Sequence, residues 1–138
     1  MKKKFLTIIF IVAGILFFNM ILGFKPFYQQ KEWPVPEKYI KMQNPVKADA
    51  ESIKEGKALW IKHCQSCHGK TGMGDGSKAA QLKTTVEDLT TPEMQKQSDG
   101  SLFYKTSEGR DDMPGFKKKI PDQEDIWNMV NYMRSLKK

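Results

Sequence analysis

The chain holds only two cysteines, Cys64 and Cys67, separated by Gln65-Ser66 and followed at once by His68. With no third cysteine, neither a framework of several disulfides nor a four-cysteine zinc site can be built. Stability has to come from apolar packing, or from something held at the Cys-x-x-Cys-His run.

A second constraint lies at the N-terminus. Lys2, Lys3 and Lys4 precede an apolar stretch from Phe5 to Phe24, broken only by Thr7 and Asn19. At about 1.5 Å per residue this stretch as a helix matches the roughly 30 Å hydrocarbon layer of a bilayer. A signal peptide has a shorter apolar region and a small-residue cleavage site. The exit Ile21-Leu22-Gly23-Phe24-Lys25-Pro26 offers no such site. Residues 1–24 are therefore expected to form an uncleaved signal anchor, with a cleaved signal and a free periplasmic protein as the alternative. Either way the lysines stay in the cytoplasm and the rest of the chain lies outside, on the periplasmic face. Residues 25–47 carry Pro26, Pro34, Pro36 and Pro45 among Phe27, Tyr28, Trp33 and Tyr39, and read as an extended tether. Its aromatic residues suit either the headgroup layer or packing on the domain that follows.

The net charge of +7 invites a nucleic-acid reading. Most of that excess belongs to the first 44 residues, where Lys2, Lys3, Lys4, Lys25, Lys31, Lys38 and Lys41 face only Glu32 and Glu37. The remainder is nearly balanced, so no face offers the gathered cations that a phosphate backbone requires. Nucleic acid is not an expected partner.

Residues 48–138 read as one domain. Ile53, Gly56, Trp60 and Cys64 recur at spacings of three and four, which puts them on one face of a helix running from Ala48 to His63. A closing helix starts after Pro121, with Asp122 as N-cap and Glu124 in the first turn. Ile126, Val130 and Met133 form its stripe, joined by Met129, Tyr132 and Leu136, and Arg134, Lys137 and Lys138 suit its negative end. A shorter helix follows Asp99-Gly100-Ser101 and stops at Gly109, and another turn begins at Thr91-Pro92. Gly69 to Gly76 is glycine-rich loop. Strand-like alternation is nowhere sustained, so the class is all-α. So small a domain has a thin core, a deficit that a large apolar cofactor would fill.

Cys64-Gln65-Ser66-Cys67-His68 is the attachment pattern for haem c. Two thiols three positions apart reach two vinyl groups on one porphyrin edge, and the histidine beside them offers a nitrogen to the iron. Three rival readings stand beside this one. A thioredoxin-like pair needs a βαβ context, and a zinc site needs a second pair of ligands. A structural Cys64–Cys67 disulfide is the third. The export segment favours haem, because this attachment takes place on that side of the membrane.

The order of helix, Cys-x-x-Cys-His-Gly, glycine-rich loop, Met113-Pro114 and closing helix resembles the class I cytochrome c family over residues 48–138. The resemblance implies three to five short helices wrapped around one covalent haem. It also implies a packing contact between first and last helices, carried here by Gly56, Trp60 and Tyr132. In many relatives a proline after the motif presents its carbonyl to the proximal histidine; Ser77 stands at that place in Gly72-Met73-Gly74-Asp75-Gly76-Ser77.

The sixth ligand decides the role. His63 adjoins Cys64 and is tied to the proximal side, which leaves methionine. Met129 and Met133 belong to the closing helix, Met73 lies too near His68, and Met42 lies in the tether. Met94 is feasible without a rigid setting. Met113 is followed by Pro114 and Gly115, whose fixed and permissive backbones can hold a loop, and it matches the family's Met-Pro. The expected ligands are His68 and Met113, with an open site as the alternative. His/Met ligation raises the potential and leaves substrate no place to bind.

The expected function is single-electron transfer between a donor and an acceptor redox protein. A fixed subunit of an oxidase or reductase, and a haem enzyme or sensor with an open site, are the alternatives. Lys117, Lys118 and Lys119 after Met113 suit either an acidic partner or a solvated loop ahead of the closing helix, and Arg110 suits a haem propionate.

Overall fold

The computed structural model describes residues 32–138, and Pro34–Lys138 form one compact unit. The expected anchor and the first part of the expected tether lie outside the described residues. Among the described residues there are six α-helices, one 3₁₀ turn and no strand. In chain order they are α1 (Glu37–Ile40), α2 (Ala50–His63), α3 (Gln65–His68), the 3₁₀ turn (Ala79–Gln81), α4 (Pro92–Gln95), α5 (Asp99–Glu108) and α6 (Gln123–Ser135). The all-α expectation holds, with α2, α5 and α6 as the substantial helices and three single turns between or before them. No described helix is long and apolar enough to cross a membrane.

Local chemistry sets the helix starts. The side chains of Asp49, Thr91, Ser98 and Asp122 accept backbone N–H groups of Ser52, Met94, Ser101 and Glu124, which otherwise lack intrahelical partners. Pro92 takes the first position of α4, where a missing N–H costs nothing. Gly109 ends α5 at φ 70°, a conformation glycine adopts freely.

Helices α2 and α6 pack across each other at Gly56. A Cβ there would lie 2.0 Å from the Asn128 carbonyl oxygen, so the crossing admits only glycine. Trp60, one turn on, is 2% exposed and packs against the Tyr132 ring at 5.6 Å. Helix α6 is buried at every residue from Ile126 to Met133, a wider burial than the single stripe its periodicity predicts. Two asparagines lie in that run, and both are hydrogen-bonded. Asn128 donates to Glu55 at 2.8 Å, and Asn131 donates to Ser52 at 3.0 Å and accepts from Asn44 at 2.8 Å. Phe103 of α5 stacks on Trp127 of α6, with ring centroids 4.2 Å apart.

From Pro34 onward, residues read as tether fold with the compact unit. Pro36 caps the single turn α1, and Tyr39 lies 4.7 Å from the Tyr104 ring on α5. The aromatic face that the sequence left open between lipid and domain is, for Tyr39, turned to the domain.

Candidate haem-binding site

Cys64 closes α2, and Cys67 and His68 lie on α3, the single turn that follows it. The chain turns there because the N–H of Cys64 still bonds to Trp60 while those of Cys67 and His68 both bond to Cys64. The glycine-rich loop then folds back over the motif. Gly74, Gly76 and Lys78 donate their N–H groups to the carbonyls of His68, Cys67 and Ser66 at 2.9, 3.1 and 2.8 Å. Three of the motif's carbonyls are thus spoken for by one loop. A Cβ on Gly76 would lie 2.5 Å from the Ser66 carbonyl oxygen, which is why glycine stands at that approach.

Both thiols are free and half-buried. Burial, with the neighbouring Cys67, pushes the Cys64 thiol up to about 12. The His68 ring lies 5.5 Å from Trp60, whose Nε1 donates to the Gly69 carbonyl at 3.0 Å. Burial lowers the His68 pKa, so its neutral, metal-binding form is favoured. Its Nδ1 is buried without a hydrogen-bond partner. The loop that carries Ser77, where many relatives have the proline, directs its N–H groups at the motif's backbone. A buried polar atom without a partner is uncommon in native proteins. Two free thiols and a neutral imidazole with such an atom, gathered within one turn, fit a covalently attached haem.

Met113 stands on a separate segment, the loop from Gly109 to Lys117. Its backbone pairs with Arg110 in both directions, at 2.8 and 2.9 Å, around Asp111 at φ 52°. The next residue along the turn carries a brace that sequence reasoning missed. The Asp112 carboxylate accepts the N–H groups of Lys83 and Thr84 at 2.7 and 2.9 Å and the Thr84 hydroxyl at 3.1 Å. On the far side of Met113, Phe116 and Lys117 donate to the Thr106 and Ser107 carbonyls of α5 at 3.1 and 3.2 Å. A Cβ on Gly115 would meet the Glu108 carbonyl oxygen at 2.3 Å, which fixes how closely this leg lies on α5. Phe116 also meets His63 edge-on at 5.8 Å, joining the methionine loop to the residue before Cys64.

Of the other methionines, Met129 and Met133 are core, as expected, and Met73 is exposed. Met94 packs on the core and its sulfur accepts from Gln97 at 2.8 Å. His63 has its pKa lowered by burial and then by Lys62 and Lys119, so the charges it faces are positive. Of the lysines after Met113, Lys117 is tied to Glu108 at 2.5 Å, and Lys119 reaches over the Phe116 ring at 5.7 Å.

A helical domain with this turn, these thiols and this histidine is a c-type cytochrome domain, and such a domain implies haem c. The sequence profile of the family described as cytochrome c oxidase, cbb3-type, subunit III matches residues 51–133, and the chain belongs to that family. No curated protein matches it. Among solved structures, a chain titled "Kuenenia stuttgartiensis reducing HAO-like protein complex Kustc0457/Kustc0458" superposes with a TM-score of 0.63 at 24% identity. The match covers 80% of this chain and 53% of that one, so this chain spans about half its length. A structure titled "KustC0563 c-type cytochrome" superposes with a TM-score of 0.53 at 29% identity, over 60% of this chain and 98% of that one.

Proposed function

We propose that this chain is a monohaem electron carrier, held to a membrane by residues 1–24 with its haem domain on the periplasmic face. The observation that carries the reading is the clamped turn that holds two free thiols beside the buried, neutral His68 imidazole. Cys64 and Cys67 are the residues that would hold one haem covalently, and His68 and Met113 are the side chains that would bind its iron. When bound, the haem supplies one-electron chemistry, and His/Met ligation raises its potential. The chain's own residues fix the two ligands in place. Trp60 and the loop from Gly72 to Lys78 hold the His68 turn, and Asp112 with the Thr106 and Ser107 carbonyls holds the Met113 loop. With His68 and Met113 both bound to the iron, substrate would find no position there, which favours a carrier over an open-site enzyme or sensor.

The partners that fit are redox proteins, one donor and one acceptor. Lys119 reaches over the Phe116 ring, which meets His63 beside Cys64 at 5.8 Å, while Lys117 is paired with Glu108. The face next to the motif therefore suits an acidic partner.

The optical spectrum of the oxidised holoprotein tests the carrier reading. A methionine-to-iron charge-transfer band is expected, with slow response to added imidazole or cyanide. Met113→Ala should remove the band, lower the potential and admit imidazole at once. Immediate ligand binding by the unaltered protein would sink the proposal.

A second reading, a fixed subunit of a larger oxidase or reductase, is favoured by the description of the matching family. Extraction with mild detergent separates the two: a carrier leaves membranes alone, whereas a subunit copurifies with its complex. The same fractionation tests the anchor, since a cleaved chain appears in the soluble periplasm.

A further inference from the structure

The chain enters the compact unit through residues 34–47, and this entry segment lies on the helix that supports the methionine loop. Backbone meets backbone at Gly100, in the first turn of α5. A Cβ there would lie 2.0 Å from the Tyr39 carbonyl oxygen and 2.8 Å from both the Cβ and the carbonyl oxygen of Met42. One turn further along α5, the Tyr104 ring meets the Tyr39 ring at 4.7 Å. The segment is fastened beyond this by Asn44, which donates to the buried Asn131 at 2.8 Å.

The other end of α5 carries the leg that returns from Met113. Phe116 and Lys117 donate to Thr106 and Ser107, and the Lys117 amine bonds Glu108. Its bond to the Glu108 carboxylate holds that amine above its ordinary range. Helix α5 therefore carries the Tyr39 contact near its start and the returning loop leg at its end.

We infer that the entry segment is a strap, with Tyr39 as a positioning residue that keeps the Met113 loop closed through Tyr104 and helix α5. The inference rests on Met113 being the sixth ligand. Closure of the iron site then depends on how the chain arrives from its N-terminus. Lifting the strap removes the aromatic support of α5 and frees the loop leg, which favours the state in which Met113 is off the iron and an outside ligand can enter. Local opening of this kind draws on the least stable contacts of a fold, and a strap made of one helical turn is such a contact.

The test uses full-length holoprotein carrying Tyr39→Ala, Tyr39→Phe or Gly100→Ala, with Met113→Ala in parallel. The readouts are the association rate of imidazole with the oxidised protein, the charge-transfer band, the reduction potential and the denaturation midpoint. Tyr39→Ala should speed imidazole association about two- to tenfold, the range set by one aromatic pair, and weaken the band. Tyr39→Phe should retain the wild-type rate, because it keeps the ring. Gly100→Ala should act like Tyr39→Ala, since its methyl displaces the strap without touching the tyrosine. A lowered denaturation midpoint with unchanged imidazole rate, band and potential in both Tyr39→Ala and Gly100→Ala would overturn the inference and leave the strap purely structural. A Met113→Ala protein that keeps the wild-type band would instead overturn the ligand assignment.

Discussion

Gly56 and Asn128 meet backbone to backbone, with 2.0 Å between the position of an added Cβ and the Asn128 carbonyl oxygen. This contact sets the approach of α2 to α6, and through α2 it sets where Trp60 and Cys64 stand. The obstacle is helix backbone, which cannot rotate aside as a side chain can. Gly56→Ala should therefore destabilise the domain by about 1–3 kcal/mol despite alanine's better helix propensity. Denaturant unfolding of the holoprotein measures this, and a midpoint equal to wild type would mean that the crossing tolerates separation.

The two cysteines should differ from each other less than either does from their joint absence. Cys64→Ala or Cys67→Ala leaves one thiol to form a thioether, whereas the double substitution leaves only coordination and packing. Haem should stay with the polypeptide on a denaturing gel for wild type, weakly for the single variants and not at all for the double variant. Haem retained by the double variant would refute covalent attachment at these residues.

Much of the fold is legible in the sequence because its determinants are local. Asp122 after Pro121, Thr91 before Pro92 and Gly109 after Glu108 mark helix ends by the chemistry of their own backbone neighbours, and the structure places ends there. The Gly56/Trp60 face is legible for the same reason. What escaped are contacts between residues far apart in the chain. Asp112 reads as one of two acidic residues before Met113, yet its carboxylate binds Lys83 and Thr84. Asn131 sits in an apolar stripe with nothing nearby to announce Ser52 and Asn44. Ser77 stands where many relatives carry the proline, yet His68 Nδ1 has no partner, because backbone direction within a glycine-rich loop is not written in residue type.

The Asp112 brace should be separable from the fold. It joins the Met113 turn to the exposed residues Lys83 and Thr84. Asp112→Ala should leave the helical circular dichroism unchanged while weakening the charge-transfer band and speeding imidazole entry. A variant indistinguishable from wild type in both optical measurements would show that the turn around Asp111 holds itself.

Asp88 provides a pH dependence whose sign follows from its bonds. Its carboxylate accepts the Thr90 hydroxyl at 2.7 Å and the Thr90 N–H at 2.8 Å, and these bonds hold its pKa below the usual carboxylate range. A depressed folded-state pKa means that the unfolded chain takes up the proton first. The contribution is complete above the ordinary carboxylate pKa and is lost as pH falls through the lowered value. Asp88→Asn should therefore unfold at lower denaturant than wild type at neutral pH, with the difference narrowing in acid. A difference independent of pH would assign the effect to packing instead of charge.

The positive face beside Cys64 has a salt-dependent consequence. Lys62 adjoins His63 at the end of α2, and Lys119 lies over the Phe116 ring that meets His63 at 5.8 Å. The field of such a face reaches about 10 Å at 0.1 M salt and further at lower salt. An anionic oxidant such as hexacyanoferrate should react faster as ionic strength falls, and a cationic cobalt complex more slowly. Reversing both charges, Lys62→Glu with Lys119→Glu, should invert the two slopes while leaving the reduction potential near its wild-type value. Reversal at Lys117 should matter less, because Glu108 already offsets that charge at 2.5 Å. If the double reversal left both slopes unchanged, electrons would have to leave through another face, and the acidic-partner assignment would fall while the ligand assignment stood.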